Sequence, residues 1–149
     1  MGVEPKPGTS ALILPCSTKV RVHIGRLGTL WLQPGHYVYL GSALGPGGLR
    51  ARIAHHQEQS LRPHWHIDYL RAHTQIHCVW FSYDARRREH QWAHVMRTVR
   101  GVKIPLLGFG ASDCDCRSHL YFLNHRPSRI SFRRGLESLA KGHPPLEEF

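Results

Sequence analysis

The sequence predicts an α+β domain with a small, mainly antiparallel central β-sheet flanked by helices, and three observations predict it. Short stretches alternate apolar and polar residues, as where Val20, Val22 and Ile24 stand against Lys19, Arg21 and His23. A longer stretch places Trp92, Ala93, Met96 and Val99 at helical spacing, the signature of a helix with one buried face. The helices are inserted among mostly short strands rather than alternating one for one with them, which argues against a doubly wound α/β arrangement. A chain of 149 residues is long enough for one sizeable core and not for two.

Taken in order, residues 1–9 are rich in Pro and Gly and are expected to be flexible. The apolar run at residues 11–14 and the alternating run at 19–24 read as a strand pair joined by a short turn. A turn at 25–28, a strand at 29–32 and a second turn at Gln33-Pro34-Gly35 follow. Residues 36–41, HYVYLG, form the next strand, with Tyr37 and Tyr39 on one face by the two-residue period. The loop SALGPGG opens a helix over about 49–59; Pro63 breaks the chain, and HIDYLRAH makes a short helix. A buried strand at 76–83 leads to a long helix over 85–99, which Gly101 ends. A glycine-rich loop, LLGFGASDCDC, runs into a last strand at 120–123. The domain is thus expected over residues 10–132, and the polar, Gly- and Pro-bearing segment 133–149 is expected to be a frayed tail.

Composition narrows the partner. Twenty Lys plus Arg against ten Asp plus Glu give a formal charge of +10, with Arg far outnumbering Lys. Such a surplus repels itself in a compact domain, so a polyanion is the expected partner, and guanidinium forks suit phosphate oxygens. The 13 His residues add further positive charge in mild acid. The chain shows no apolar run of membrane-spanning length and no signal-peptide core at its start, and its four cysteines suit a reduced compartment. A cytoplasmic protein without a membrane partner or small-molecule cofactor is expected.

The stretch YVYLGSALGPGGLRARIAHH, residues 37–56, carries most of the chemistry. Two tyrosines on one strand face end at a glycine. A flexible loop then opens a helix bearing Arg52 and His56, which share a face because they are four apart. A guanidinium can neutralise charge on a phosphoryl oxygen, and a phenol or imidazole can move a proton. The alternative is that the tyrosines are core aromatics and Arg52 a surface charge.

Tyr39-Leu40-Gly41-Ser42, followed by Arg52 and His56, resembles the second half of the motif of the GIY-YIG endonuclease superfamily. Further blocks extend the likeness: GRLG at 25–28, PGHYVYLGSALGPGGL at 34–49, HWHIDYL at 64–70 and GFGASDCDCRSHLYF at 108–122. In this order they are similar to the Uri-type subfamily of small stand-alone nuclease domains, over about residues 8–123. The resemblance implies a divalent-metal-dependent endonuclease that hydrolyses DNA phosphodiester bonds, with Tyr39, Arg52, His56 and Glu89 catalytic. Tyr37, Ser42, Arg50 and Trp65 are the expected DNA-binding residues.

Glu89 has a reading of its own. It lies three before Trp92 and four before Ala93, at the edge of the helix's apolar stripe, where a carboxylate is costly unless it is paired or holds a cation. The corresponding helix of GIY-YIG nucleases carries the metal-binding glutamate, so the resemblance makes Glu89 the ligand of Mg²⁺ or Mn²⁺. One carboxylate completed by waters and a phosphate suffices for such an ion. A salt bridge to Arg86, Arg87 or Arg88 is the alternative.

One position departs from the pattern. Ser10, in Gly8-Thr9-Ser10-Ala11, stands where the family's first motif has a tyrosine. Either Tyr37 or Tyr39 replaces that phenol, or His56 supplies the base, or the chain is a catalytically weak or inactive DNA- or RNA-binding module that keeps the cleft. A zinc-stabilised accessory protein is a further rival, with Zn²⁺ at Cys114, Cys116 and His119, although Cys-x-Cys is tighter than the usual zinc spacing. Around Trp65, Asp68 could orient His64 or His66, and the indole could stack on a base or simply pack on the sheet.

Overall fold

The computed structural model describes residues 2–58, 62–111 and 116–149. It is α+β, as the sequence predicts, with a five-stranded central sheet. The strands are β1 (Gly8–Cys16), β2 (Val20–Ile24), β3 (Gly28–Leu32), β4 (Gly35–Ala43), β5 (Cys78–Tyr83), β6 (Leu120–Leu123) and β7 (Glu147–Glu148). The helices are α1 (Gly48–Gln57), α2 (His66–Arg71), α3 (Glu89–Arg97) and α4 (Arg129–Leu139). The sheet runs β6-β4-β1-β5-β7 with every neighbour antiparallel, while β2 and β3 form a separate hairpin.

The strand pairing expected between 11–14 and 19–24 is replaced by a different one. Alternate residues of β1 go to opposite cores, Leu12 and Leu14 to one and Ala11 and Ile13 to the other. A strand buried on both faces belongs in the middle of a sheet, and β1 pairs with β4 on one side and β5 on the other. β2 has one wet face, with Arg21 and His23 exposed and Val22 and Ile24 buried, so it folds onto β3 as a one-sided hairpin.

Each sheet face has its own helices. Leu12, Tyr39, Phe81 and Phe122 pack with Leu49 and Ile53 of α1, Ile67 and Leu70 of α2, and the hairpin. Val38, Leu40, Trp80 and Tyr121 pack with Trp92 and Met96 of α3 and Phe132 and Leu136 of α4. The last two residues correct the expectation of a frayed tail at 133–149. Phe132 and Leu136 are four apart and place one apolar stripe against Trp80 and Trp92, and Ser128 caps the helix by accepting the Ser131 N–H. Leu146 is buried, and β7 adds to the edge of β5. The N-terminal segment is packed as well: Val3 is fully buried, and its carbonyl accepts from Arg50 Nε at 2.9 Å.

The helix expected over 85–99 is shorter, because Asp84 accepts from Arg88 Nε and from the Arg86 N–H, holding 84–88 as a turn that ends where α3 begins. Among the described residues no helix is long and apolar enough to cross a membrane.

Candidate active site

A cleft of about 380 Å³ is lined by residues from the strands, the helices and the glycine-rich loop. β4 contributes Tyr39 and Ser42, α1 contributes Arg52, the segment before α2 contributes His64 and Trp65, and α3 contributes Glu89. Gly110 and His119 close it from the loop that leads into β6.

Arg52 is the hub. Its Nη2 lies 3.5 Å from Tyr39 Oη, and its guanidinium stacks 4.9 Å from the centre of the Trp65 ring. It can lie flat on β4 because residue 41 is glycine: a Cβ there would come within 2.5 Å of Nη2. Arg52 Nε and Ser42 Oγ are buried and have no hydrogen-bond partner among the described residues. Two such groups in one wall are suited to an incoming oxyanion, since a buried donor without a partner is costly.

Glu89 sits in the first turn of α3 with its side chain 13% exposed. It makes no ion pair with Arg86, Arg87 or Arg88 among the described contacts; Arg88 is taken by Asp84, and Glu89 Oε2 instead lies 3.1 Å from His119 Nδ1. Burial lowers the pKa of His119, against the pull of Glu89, which favours the neutral imidazole. His119 reaches α3 because its carbonyl accepts from the Leu40 N–H, continuing the β6 register beside β4. That partnership joins residues 30 positions apart in sequence. Its only sequence signal was the histidine itself, read as a zinc ligand. Cys114, which that zinc set requires, lies outside the described residues.

The remaining groups sort by position. Burial raises the pKa of Tyr39, opposed by Arg52, so its phenol stays protonated and is a donor rather than a base. His66 Nδ1 accepts the Gly110 N–H at 2.8 Å, which puts the proton of the neutral ring on Nε2. Trp65 is 37% exposed and forms one wall. Three expected site residues lie elsewhere. Tyr37 is 1% exposed, packs on Phe122 with ring centroids 4.9 Å apart, and accepts the Gln33 N–H; it is a core residue that does not line the cleft. Arg50 is exposed on α1 but does not line the cleft. His56 shares the helical face of Arg52 but is 1% exposed, behind Tyr39 at a ring separation of 5.9 Å. Burial, with Arg52 and His55 adding to it, lowers its pKa to about 3, which removes it as a base near neutrality.

The same burial gives an acid sensitivity. In the unfolded chain His56 titrates near 6.5, and in the fold near 3, so between these values the unfolded state binds more protons. Stability is complete above the unfolded value and falls as pH drops through the window. From about pH 7.5 to about pH 5 this one group should remove ~2 kcal/mol. Denaturant unfolding at a series of pH values checks it: His56→Gln should flatten the profile, and an unchanged slope would show that His56 is not the source.

A family model described as Domain of unknown function DUF123 matches residues 9–139. No curated protein and no solved structure matches the chain.

Proposed function

We propose that this chain, which belongs to the family described as Domain of unknown function DUF123, is a divalent-metal-dependent endonuclease that hydrolyses DNA phosphodiester bonds. The observation that carries the reading is the meeting of Arg52, Tyr39 and Glu89, from three separate elements, in one cleft of a chain with formal charge +10. The resemblance of residues 8–123 to the GIY-YIG endonucleases supports the same three residues.

The donor set fits a hard divalent cation. Glu89 is the one carboxylate among the described residues lining the cleft; it is partly exposed, steadied by His119, and faces space for waters and a substrate phosphate. Mg²⁺ or Mn²⁺ held there would lower the pKa of a water and offset charge on phosphate oxygens. A strong protein base is then not required. Ser10, buried in β1 between Gly41 and Phe81, is no substitute for a phenol, and neither Tyr39 nor His56 titrates in a useful range.

The chain's own residues account for the rest. Arg52 places a fixed positive fork on the phosphoryl oxygens as water attacks in line and the ester P–O bond breaks. Tyr39, kept protonated, donates a hydrogen bond to one of those oxygens. Trp65, 37% exposed in the cleft wall, suits stacking against a base beside the scissile phosphate.

The test is incubation of single-stranded, duplex and branched DNA with Mg²⁺ or Mn²⁺, beside EDTA. Cleavage in metal and none in EDTA is expected. The raised pKa of Tyr39 and the lowered pKa of His56 leave neither as a base and favour a second reading, a nucleic-acid-binding module that keeps the cleft. Salt-sensitive binding without cutting of any substrate would replace the nuclease reading with that one.

A further inference from the structure

We infer that His55, His56 and Asp68 form a second metal site, for Zn²⁺ or a similar nitrogen-preferring divalent ion, distinct from Glu89 and joining α1 to α2 behind the cleft. One ligand atom from each of the three lies within 4.8 Å of the others. His55 Nε2 and Asp68 Oδ1 are 3.2 Å apart. Metal–ligand bonds of about 2.0 Å at tetrahedral angles put ligand atoms about 3.3 Å apart, so that pair already spans one edge. The third ligand has to close by roughly 1.5 Å at most, within reach of small side-chain rotations.

Two independent observations point to a ligand at this place. Both ring nitrogens of His56 are buried with no hydrogen-bond partner among the described residues, although the ring is 1% exposed. A buried imidazole left without partners on either side calls for an explanation, and an ion supplies one. Asp68 is also pre-oriented. Its Oδ2 accepts the backbone N–H groups of His64 and Trp65, each at 2.9 Å, which fixes the carboxylate and leaves Oδ1 turned to the imidazoles. Such outer hydrogen bonding is what ordered metal ligands show.

The cluster has the other properties of a site. The His55 side chain is 40% exposed, giving an ion a way in and a position for water, while Trp65 covers both imidazoles at ring separations of 4.6 and 5.6 Å. The Arg71 guanidinium of α2 donates to the carbonyls of His56, Gln57 and Thr74. Two imidazoles and one carboxylate with an open fourth position suit Zn²⁺ better than Mg²⁺. Because Trp65 also stacks on Arg52, an ion here would steady the wall of the cleft without touching substrate.

The experiment uses the full chain, stripped with a chelator and titrated with Co²⁺. We expect the visible bands of a tetrahedral ion without the near-ultraviolet band of a thiolate ligand, displacement by Zn²⁺, and a rise in Tm on adding Zn²⁺. His55→Ala, a partly exposed position that the fold tolerates, should weaken Co²⁺ binding about 10-fold or more, and Asp68→Asn likewise. Glu89→Gln should leave it intact, so this site and the Glu89 reading stand or fall separately. A thiolate band, loss of binding in Glu89→Gln, a spectrum indifferent to His55→Ala, or no Co²⁺ binding would each overturn the inference.

Discussion

Replacing Glu89 by Gln is expected to lower metal-dependent DNA cleavage by roughly 10³-fold or more while leaving the fold and DNA affinity close to wild type. Glutamine keeps the size of the side chain and an oxygen that can face His119 Nδ1, now 3.1 Å from Glu89 Oε2. What it removes is the one negative charge among the described cleft-lining residues. A hard cation held by a single carboxylate loses its protein anchor with that charge, so raising Mn²⁺ should restore activity only weakly. Rates on a labelled oligonucleotide, with Tm and binding measured on the same samples, separate the outcomes. A variant cutting at near wild-type rate would remove Glu89 from the mechanism. A variant with a collapsed Tm would make the carboxylate a structural partner of His119 instead.

How much of this could be read from the sequence depends on the range of the contact involved. The strand at 35–43 and the helix bearing Arg52 are local patterns, visible in the two-residue spacing of Tyr37 and Tyr39 and in the glycine-rich loop that opens α1. Periodicity assigns a face but not a position along it. Tyr37 and Tyr39 share a face, yet β6 sets Tyr37 opposite Phe122 and Tyr39 opposite Leu120, beside the cleft. Helical spacing likewise puts His56 with Arg52, but depth is decided by the neighbouring Trp65 and Tyr39, which cover the imidazole. His119 was legible as a ligating residue and not as the partner of Glu89, since that contact exists only once β6 and α3 are both in place. The C-terminal helix is faint in the sequence for a simpler reason. Phe132 and Leu136 carry its whole buried face, and the charged residues around them give the segment the composition of a solvated tail.

Arg52→Ala should reduce cleavage by roughly 10²- to 10³-fold, the scale of losing a fixed charge aimed at a developing oxyanion. Lysine should not rescue it. An ammonium cannot fork onto two oxygens, nor lie flat between Trp65 and β4 as the guanidinium does at 4.9 Å from the indole centre. That result alone leaves charge and position entangled, and Gly41 separates them. Gly41 has an ordinary strand backbone, so alanine brings no conformational penalty, but its Cβ would stand 2.5 Å from Arg52 Nη2 and 3.0 Å from Cζ. The atoms in the way belong to the end of a flexible side chain, which moves aside at little cost to the fold. Gly41→Ala therefore keeps the charge in the cleft and displaces it. If placement matters, cleavage should fall about 10-fold or more with Tm nearly unchanged, because misplacing a catalytic group by about 1 Å is enough for such a loss. A Gly41→Ala protein that cuts as well as wild type would reduce Arg52 to a general electrostatic attractor of DNA. Its effect would then appear in binding and salt dependence rather than in the rate of the chemical step.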